Sequence, residues 1–173
     1  MRHRQPQMLA LTLAAGLLAG YLLFPAKASA APAVSELPNW LVPLVAPAFV
    51  VSEYRAPITK YGAGHRGMDY NVRDRQTIFA PESGTVAFSG LVAKKPVVTV
   101  RHPDGLVSAY EPACTLLPVG ASVLAGQPMG SVCANLEYES HCAPWLCLHF
   151  SVRRDGQYLS PRVFIGGLPG SAL

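Results

Sequence analysis

Charge is scarce in this sequence, and beyond position 30 no basic run is longer than Lys94-Lys95 or Arg153-Arg154. Only 14% of the 173 residues are charged. Setting aside Arg2, Arg4 and Lys27 of the first thirty positions leaves 11 of the 14 Lys and Arg against all 10 acids. Phosphate binding needs a clustered positive face, and none is present, which excludes a nucleic-acid partner. Long amphipathic stretches are also missing after position 30, so a helical bundle or coiled coil is excluded. No triplet period and no internal repeat appears, which removes collagen-like and solenoid architectures. The first thirty residues lack a paired-arginine signature and hold no cysteine at the cleavage site. Twin-arginine export and a lipoprotein anchor are thereby excluded.

What is present points outward. MRHRQPQ is a short cationic opening, Met8–Phe24 is an unbroken apolar run, and Ala28-Ser29-Ala30 is a small-x-small site. This order predicts a Sec-type signal peptide over residues 1–30, with retention as an N-terminal membrane anchor as the alternative. The remainder is expected outside the cytoplasm. All four cysteines lie in that exported part, and an even count in an oxidising compartment reads as a disulfide set. Four cysteines allow three connectivities. We favour Cys142–Cys147, which clips a short loop, and Cys114–Cys133, which ties two neighbouring segments.

Half of the chain is apolar, enough for the core of one domain. Residues 31–56 are rich in Ala, Pro and Val and read as a linker, onto whose partner domain Trp40 and Phe49 would dock if it is not a bare spacer. The domain is expected over residues 57–173. Its 15 Gly and 16 Pro, counted over the whole chain, cut it into short segments. Strands are expected at Thr77–Ala80, Gly84–Gly90, Val97–His102, Leu106–Glu111, in two pieces of Gly120–Val132, at Cys147–Arg153 and at Gln157–Ile165. Pro103-Asp104-Gly105 and Asp155-Gly156 are hairpin signals. Seven or more short strands with turns every eight to twelve residues predict an all-β fold, a small antiparallel sandwich or partly open barrel.

Two segments carry chemistry. Gly64-His65-Arg66-Gly67-Met68-Asp69 places a His and an Asp four apart, with Gly67 between them to relax the backbone. In Cys147-Leu148-His149-Phe150-Ser151-Val152, alternation puts Leu148, Phe150 and Val152 on the core face and Cys147, His149 and Ser151 on the other. His65, Asp69 and His149 make a two-His, one-carboxylate set that suits Zn2+ with a fourth position left for water. Such a site is equipped for metal-assisted amide hydrolysis. On spacing alone, ordinary surface or capping histidines account for the same residues.

The wording of the motifs goes further. GHRGMDY, PESGTVAFSG, VVTVRHPDGLVSAYEP, SVLAGQPMGSV and CLHFSVR resemble, in order, the lysostaphin-type (LytM-like) zinc metalloendopeptidase domain, over roughly residues 57–165. The resemblance implies His65, Asp69 and His149 as zinc ligands and peptidoglycan peptides as the partner. It implies metalloendopeptidase activity on peptide cross-links, in cell-wall remodelling. Two departures leave activity open. The family's His-x-His begins here with Cys147, and its Tyr-x-His-Leu segment reads Tyr110-Glu111-Pro112-Ala113. The alternative is a degenerate zinc-binding domain that binds peptidoglycan or regulates another cell-wall hydrolase. His141 is the candidate replacement catalytic residue, since a Cys142–Cys147 bridge would hold it near the His149 strand. A free Cys147 thiolate would instead close a His₂-Asp-Cys set. Glu111 is a weaker base candidate or a surface carboxylate. His102 is expected to be structural or solvent-facing, Arg66 a substrate-carboxylate or solvated loop arginine, and Tyr110 a buried aromatic.

Overall fold

The computed structural model describes residues 39–134 and 140–165. The segment expected to be a signal peptide lies outside these residues. Eleven strands run β1 (Val50–Ser52), β2 (Met68–Asn71), β3 (Thr77–Phe79), β4 (Gly84–Val92), β5 (Lys95–Arg101), β6 (Val107–Glu111), β7 (Ala113–Cys114), β8 (Ser122–Val123), β9 (Pro128–Val132), β10 (Cys147–Arg154) and β11 (Gln157–Leu159). A 3₁₀ turn, Pro161–Val163, follows. The large sheet has the order β1-β2-β10-β6-β5-β4-β8, with β11 paired to β10, and β3-β9-β7 form a second sheet. All the pairings of both sheets are antiparallel. The all-β antiparallel fold read from the punctuation is the fold observed.

The β5–β6 hairpin closes where Pro103-Asp104-Gly105 stands. Gly105 has φ +86°, and the Leu106 amide donates to Asp104 Oδ1 at 3.0 Å. Asp155 and Gly156 both take positive φ between β10 and β11, the backbone of a two-residue hairpin turn. The β4–β5 turn carries no such signal in its residues: Ala93 and Lys94 adopt φ +49° and +70°. Hence β4 runs two residues past the expected end at Gly90.

Met68, Ile78, Leu106, Tyr110, Leu148, Phe150 and Val152 are fully buried in one core. Among the described residues, the segment expected to be linker departs from that expectation at Trp40. Trp40 and Leu44 are buried in the core, and β1 pairs with β2. Trp40 stacks 4.4 Å from the His102 ring and donates its amide to the Phe164 carbonyl. The domain therefore begins before position 57, because Trp40 and Leu44 cover core surface that would otherwise meet water. Phe49 does not share this docking and is largely exposed.

Candidate metal centre

Three adjacent strands build the site. In register, β2 Asp69 stands opposite β10 His149, which stands opposite β6 Glu111. Residues directly opposite one another in an antiparallel pair share a face, so all three project from the same side of the sheet. His65 enters from the loop before β2. It is fixed there by two backbone hydrogen bonds of 2.9 Å with Arg55. Arg66 is spent on that loop, donating to the Lys60 and Gly62 carbonyls at 3.0 and 3.1 Å.

The side chains converge closely. His65 Nε2 lies 3.1 Å from Asp69 Oδ2 and 3.2 Å from His149 Nδ1. His149 Nδ1 is 2.8 Å from Asp69 Oδ1. His141 joins the set, with its Nε2 3.0 Å from Asp69 Oδ2. One donor atom from each of His65, Asp69, His141 and His149 lies within 4.8 Å of all the others. Asp69 is buried, whereas His141 is the most exposed of the four.

The donor set fits a cation. His65 Nδ1 is 2.7 Å from the Glu53 carbonyl oxygen, a contact that only an N–H can make. With Nδ1–H so committed, it is Nε2 that faces Asp69 and His149. A ring nitrogen and a carboxylate oxygen 3.1 Å apart are held together by a proton or a cation between them, and imidazole nitrogen with carboxylate oxygen is a zinc-type donor set. Burial acts to raise the Asp69 carboxyl. Hydrogen bonds from His149 and His141, and attraction to their charged forms, outweigh it and hold the group below its ordinary value. The centre thus keeps its carboxylate ionised.

Both expected disulfides, Cys142–Cys147 and Cys114–Cys133, are present. The first occupies the strand position where the lysostaphin-type pattern has histidine, and its loop carries His141 to the cluster. Glu111 pairs with Lys95 Nζ at 2.7 Å, on the same side as His149. His102 is buried and away from the cluster, and solvent-facing is the wrong reading for it. Its Nδ1–H donates to the Ser83 carbonyl, and its Nε2 accepts from the Ser108 hydroxyl. Tyr110 is a buried aromatic that donates to Ser108 Oγ, and burial pushes its hydroxyl pKa far up. Sequence reasoning missed the Glu53 carbonyl that orients His65, since a backbone acceptor leaves no mark in residue type.

The chain resembles known proteins in sequence and in fold. An uncharacterized protein of Mycobacterium tuberculosis is 37% identical over 121 residues, which are 70% of this chain and 47% of that protein. An uncharacterized Mycobacterium bovis protein matches equally. The chain thus spans about half the length of these relatives. Among solved structures, a zinc-containing peptidase from Vibrio cholerae superposes with TM-score 0.59 at 17% identity, over 76% of this chain and 41% of that one. A chain of the SpoIIQ–SpoIIIAH pore-forming complex gives 0.61 at 24%, over 76% and 93%. The catalytic domain of lysostaphin from Staphylococcus simulans gives 0.54 at 20%, over 66% and 89%. These likenesses show the fold. Residues 63–161, more than half of the sequence, match the profile of peptidase family M23, and the chain belongs to that family.

Proposed function

We propose that this chain is an exported zinc metalloendopeptidase that cleaves peptide cross-links of peptidoglycan during cell-wall remodelling. His65 Nε2, an Asp69 carboxylate oxygen and His149 Nδ1 hold the metal. The observation that carries this reading is the convergence of those atoms, with the His65 proton committed to the Glu53 carbonyl. Bound zinc supplies polarisation of the scissile carbonyl and a water of lowered pKa. Glu53 fixes the tautomer and ring plane of His65 from behind, as outer partners of metal-bound histidines do. Asp69 bridges the histidines, and its burial keeps competing water from its oxygens.

His141 does the proton work that the family's accessory histidines would otherwise do. It is the cluster member most open to an incoming peptide, and the Cys142–Cys147 bridge fixes its loop. A positioned acid or base is worth about 10²–10⁴ in rate. Export is supported by the two disulfides, which persist in oxidising compartments.

A second reading rests on a specific contact. His141 shares Asp69 Oδ2 with His65, so it is close enough to serve as a fourth protein ligand and close the site. Pro112 is buried and has no proton to transfer, in the segment where the family pattern has histidine. A closed site makes the chain a non-hydrolysing domain that binds peptidoglycan or regulates a cell-wall hydrolase.

Zinc content and muropeptide release from purified sacculi separate the two. For the peptidase, His141→Ala retains zinc and loses cleavage, whereas His149→Ala loses both. Full zinc occupancy with no cleavage across about pH 5 to 9, together with retention on sacculi, selects the binding domain instead.

A further inference from the structure

Asp69 and His141 belong to a second set of donors, completed by the sulfurs of Cys142 and Cys147, all again within 4.8 Å of one another. Cys147 Sγ lies 3.5 Å from His141 Nε2, and Cys142 Sγ lies 3.9 Å from Asp69 Oδ2. The two sets therefore overlap at one carboxylate and one imidazole. While the sulfurs are bonded to each other, neither is a thiolate, and only the imidazole–carboxylate set can hold a metal. Cleaving that one bond changes the donor chemistry of the centre. Cys147 sits on β10 two residues before His149, so it projects from the same face, and its backbone is fixed by pairing to Asn71. Cys142 lies in the turns between the described residue Ser140 and β10, where a shift of the backbone disturbs no sheet pairing. A cleft of about 370 Å³ opens beside the bridge, lined by Val51, Asn71, Trp145 and Leu146 as well as both cysteines. Cys142 is half-buried and Cys147 buried, so the bridge is open to a reductant from the Cys142 side.

We infer that Cys142–Cys147 conceals a second, thiolate-bearing metal site, Asp69–His141–Cys142–Cys147, which reduction opens. A dithiol supplies the two electrons: its sulfurs form a disulfide, the Cys142–Cys147 bond breaks, and both cysteines gain a proton. Metal binding then releases those protons to solvent, leaving two thiolates as ligands. Thiolate is the softer donor and binds zinc or cobalt more tightly than carboxylate with imidazole. Reduction consequently draws the metal toward the Cys147 side and commits His141 as a ligand, which removes it from proton transfer. The inference rests on reading the centre as a metal site, and it adds control by redox state to that reading.

Cobalt(II) titration of the full chain, oxidised and after phosphine reduction, tests it by absorption spectroscopy. The oxidised protein should bind cobalt without a thiolate-to-cobalt charge-transfer band. The reduced protein should show that band and at least about tenfold tighter binding. The double variant Cys142→Ala, Cys147→Ala should lack the band in both states. Should that variant fail to fold, alkylation of the reduced parent provides the second readout. Metal should then protect Cys142 and Cys147 but not Cys114 and Cys133. A reduced protein that binds cobalt as before, with no thiolate band and no protection, overturns the inference while leaving the first site intact. An oxidised, folded protein that binds no cobalt overturns the first site itself.

Discussion

At position 67 a Cβ would lie 2.5 Å from the Phe150 carbonyl oxygen and 2.6 Å from His149 Nε2. The His149 ring and the backbone of β10 rest directly on this glycine, and no side chain fits beneath them. The role differs from the one the sequence suggests, which is relaxation of the backbone between His65 and Asp69. Close approach, not a left-handed conformation, makes glycine necessary here. Gly67→Ala should push β10 away from β2, cost about 1–3 kcal/mol of stability and weaken zinc binding at least about tenfold. Urea unfolding and zinc titration check this, and unchanged values for both would contradict it. The residues proposed as ligands were legible through the order of the motifs, since a His and an Asp four apart and one more His on a strand face are on spacing alone equally ordinary surface residues. The orientation of His65 was not, since it depends on the Glu53 carbonyl, reached only when β1 folds against β2.

Among the elements, β10 was readable through its alternation: Leu148, Phe150 and Val152 are all fully buried on the core face. Its other face is covered too, as Cys147 and Ser151 are buried, so simple inside–outside reading describes only half of the strand. Strand β1 lies in the Ala/Pro-rich stretch that reads as linker and β7 follows directly on Pro112, so neither is framed by turn signals as the equally short β3 and β8 are. Met68–Asn71 was hidden differently: three of its four residues are buried, so it does not alternate. The β5–β6 hairpin carries a titratable group in its core. Burial lowers the His102 pKa, against the raising effects of its bond to Ser83 and of Asp104 and Glu82. The unfolded chain therefore binds a proton that the fold refuses once pH drops below about 6.5. Stability should fall through that window, since a proton on Nε2 would replace the acceptor that Ser108 needs. The Cm of urea unfolding should decline from about pH 7 to 5 in the parent, and more steeply than in His102→Gln. Equal slopes would contradict this assignment.

For the whole molecule, scarce charge and abundant Gly and Pro correctly pointed to short antiparallel strands around one apolar core. They could not locate its start, because Trp40 and Leu44 look like linker residues until the surface they cover is known. Both disulfides are the pairings the spacing favours, and the fold seats them with Cys114 on β7 beside the end of β9 and Cys142 beside the start of β10. On the proposed function, the fold assembles one metal centre from His65, Asp69 and His149. Equilibrium dialysis against zinc, followed by metal analysis of the oxidised parent and Asp69→Asn, tests it most directly. The parent chain should hold about one zinc ion and show a thermal midpoint raised by saturating zinc, and the folded variant should lose both effects. A folded parent that binds no zinc, or an Asp69→Asn variant that binds it as tightly as the parent, would rule out a metal centre on these residues.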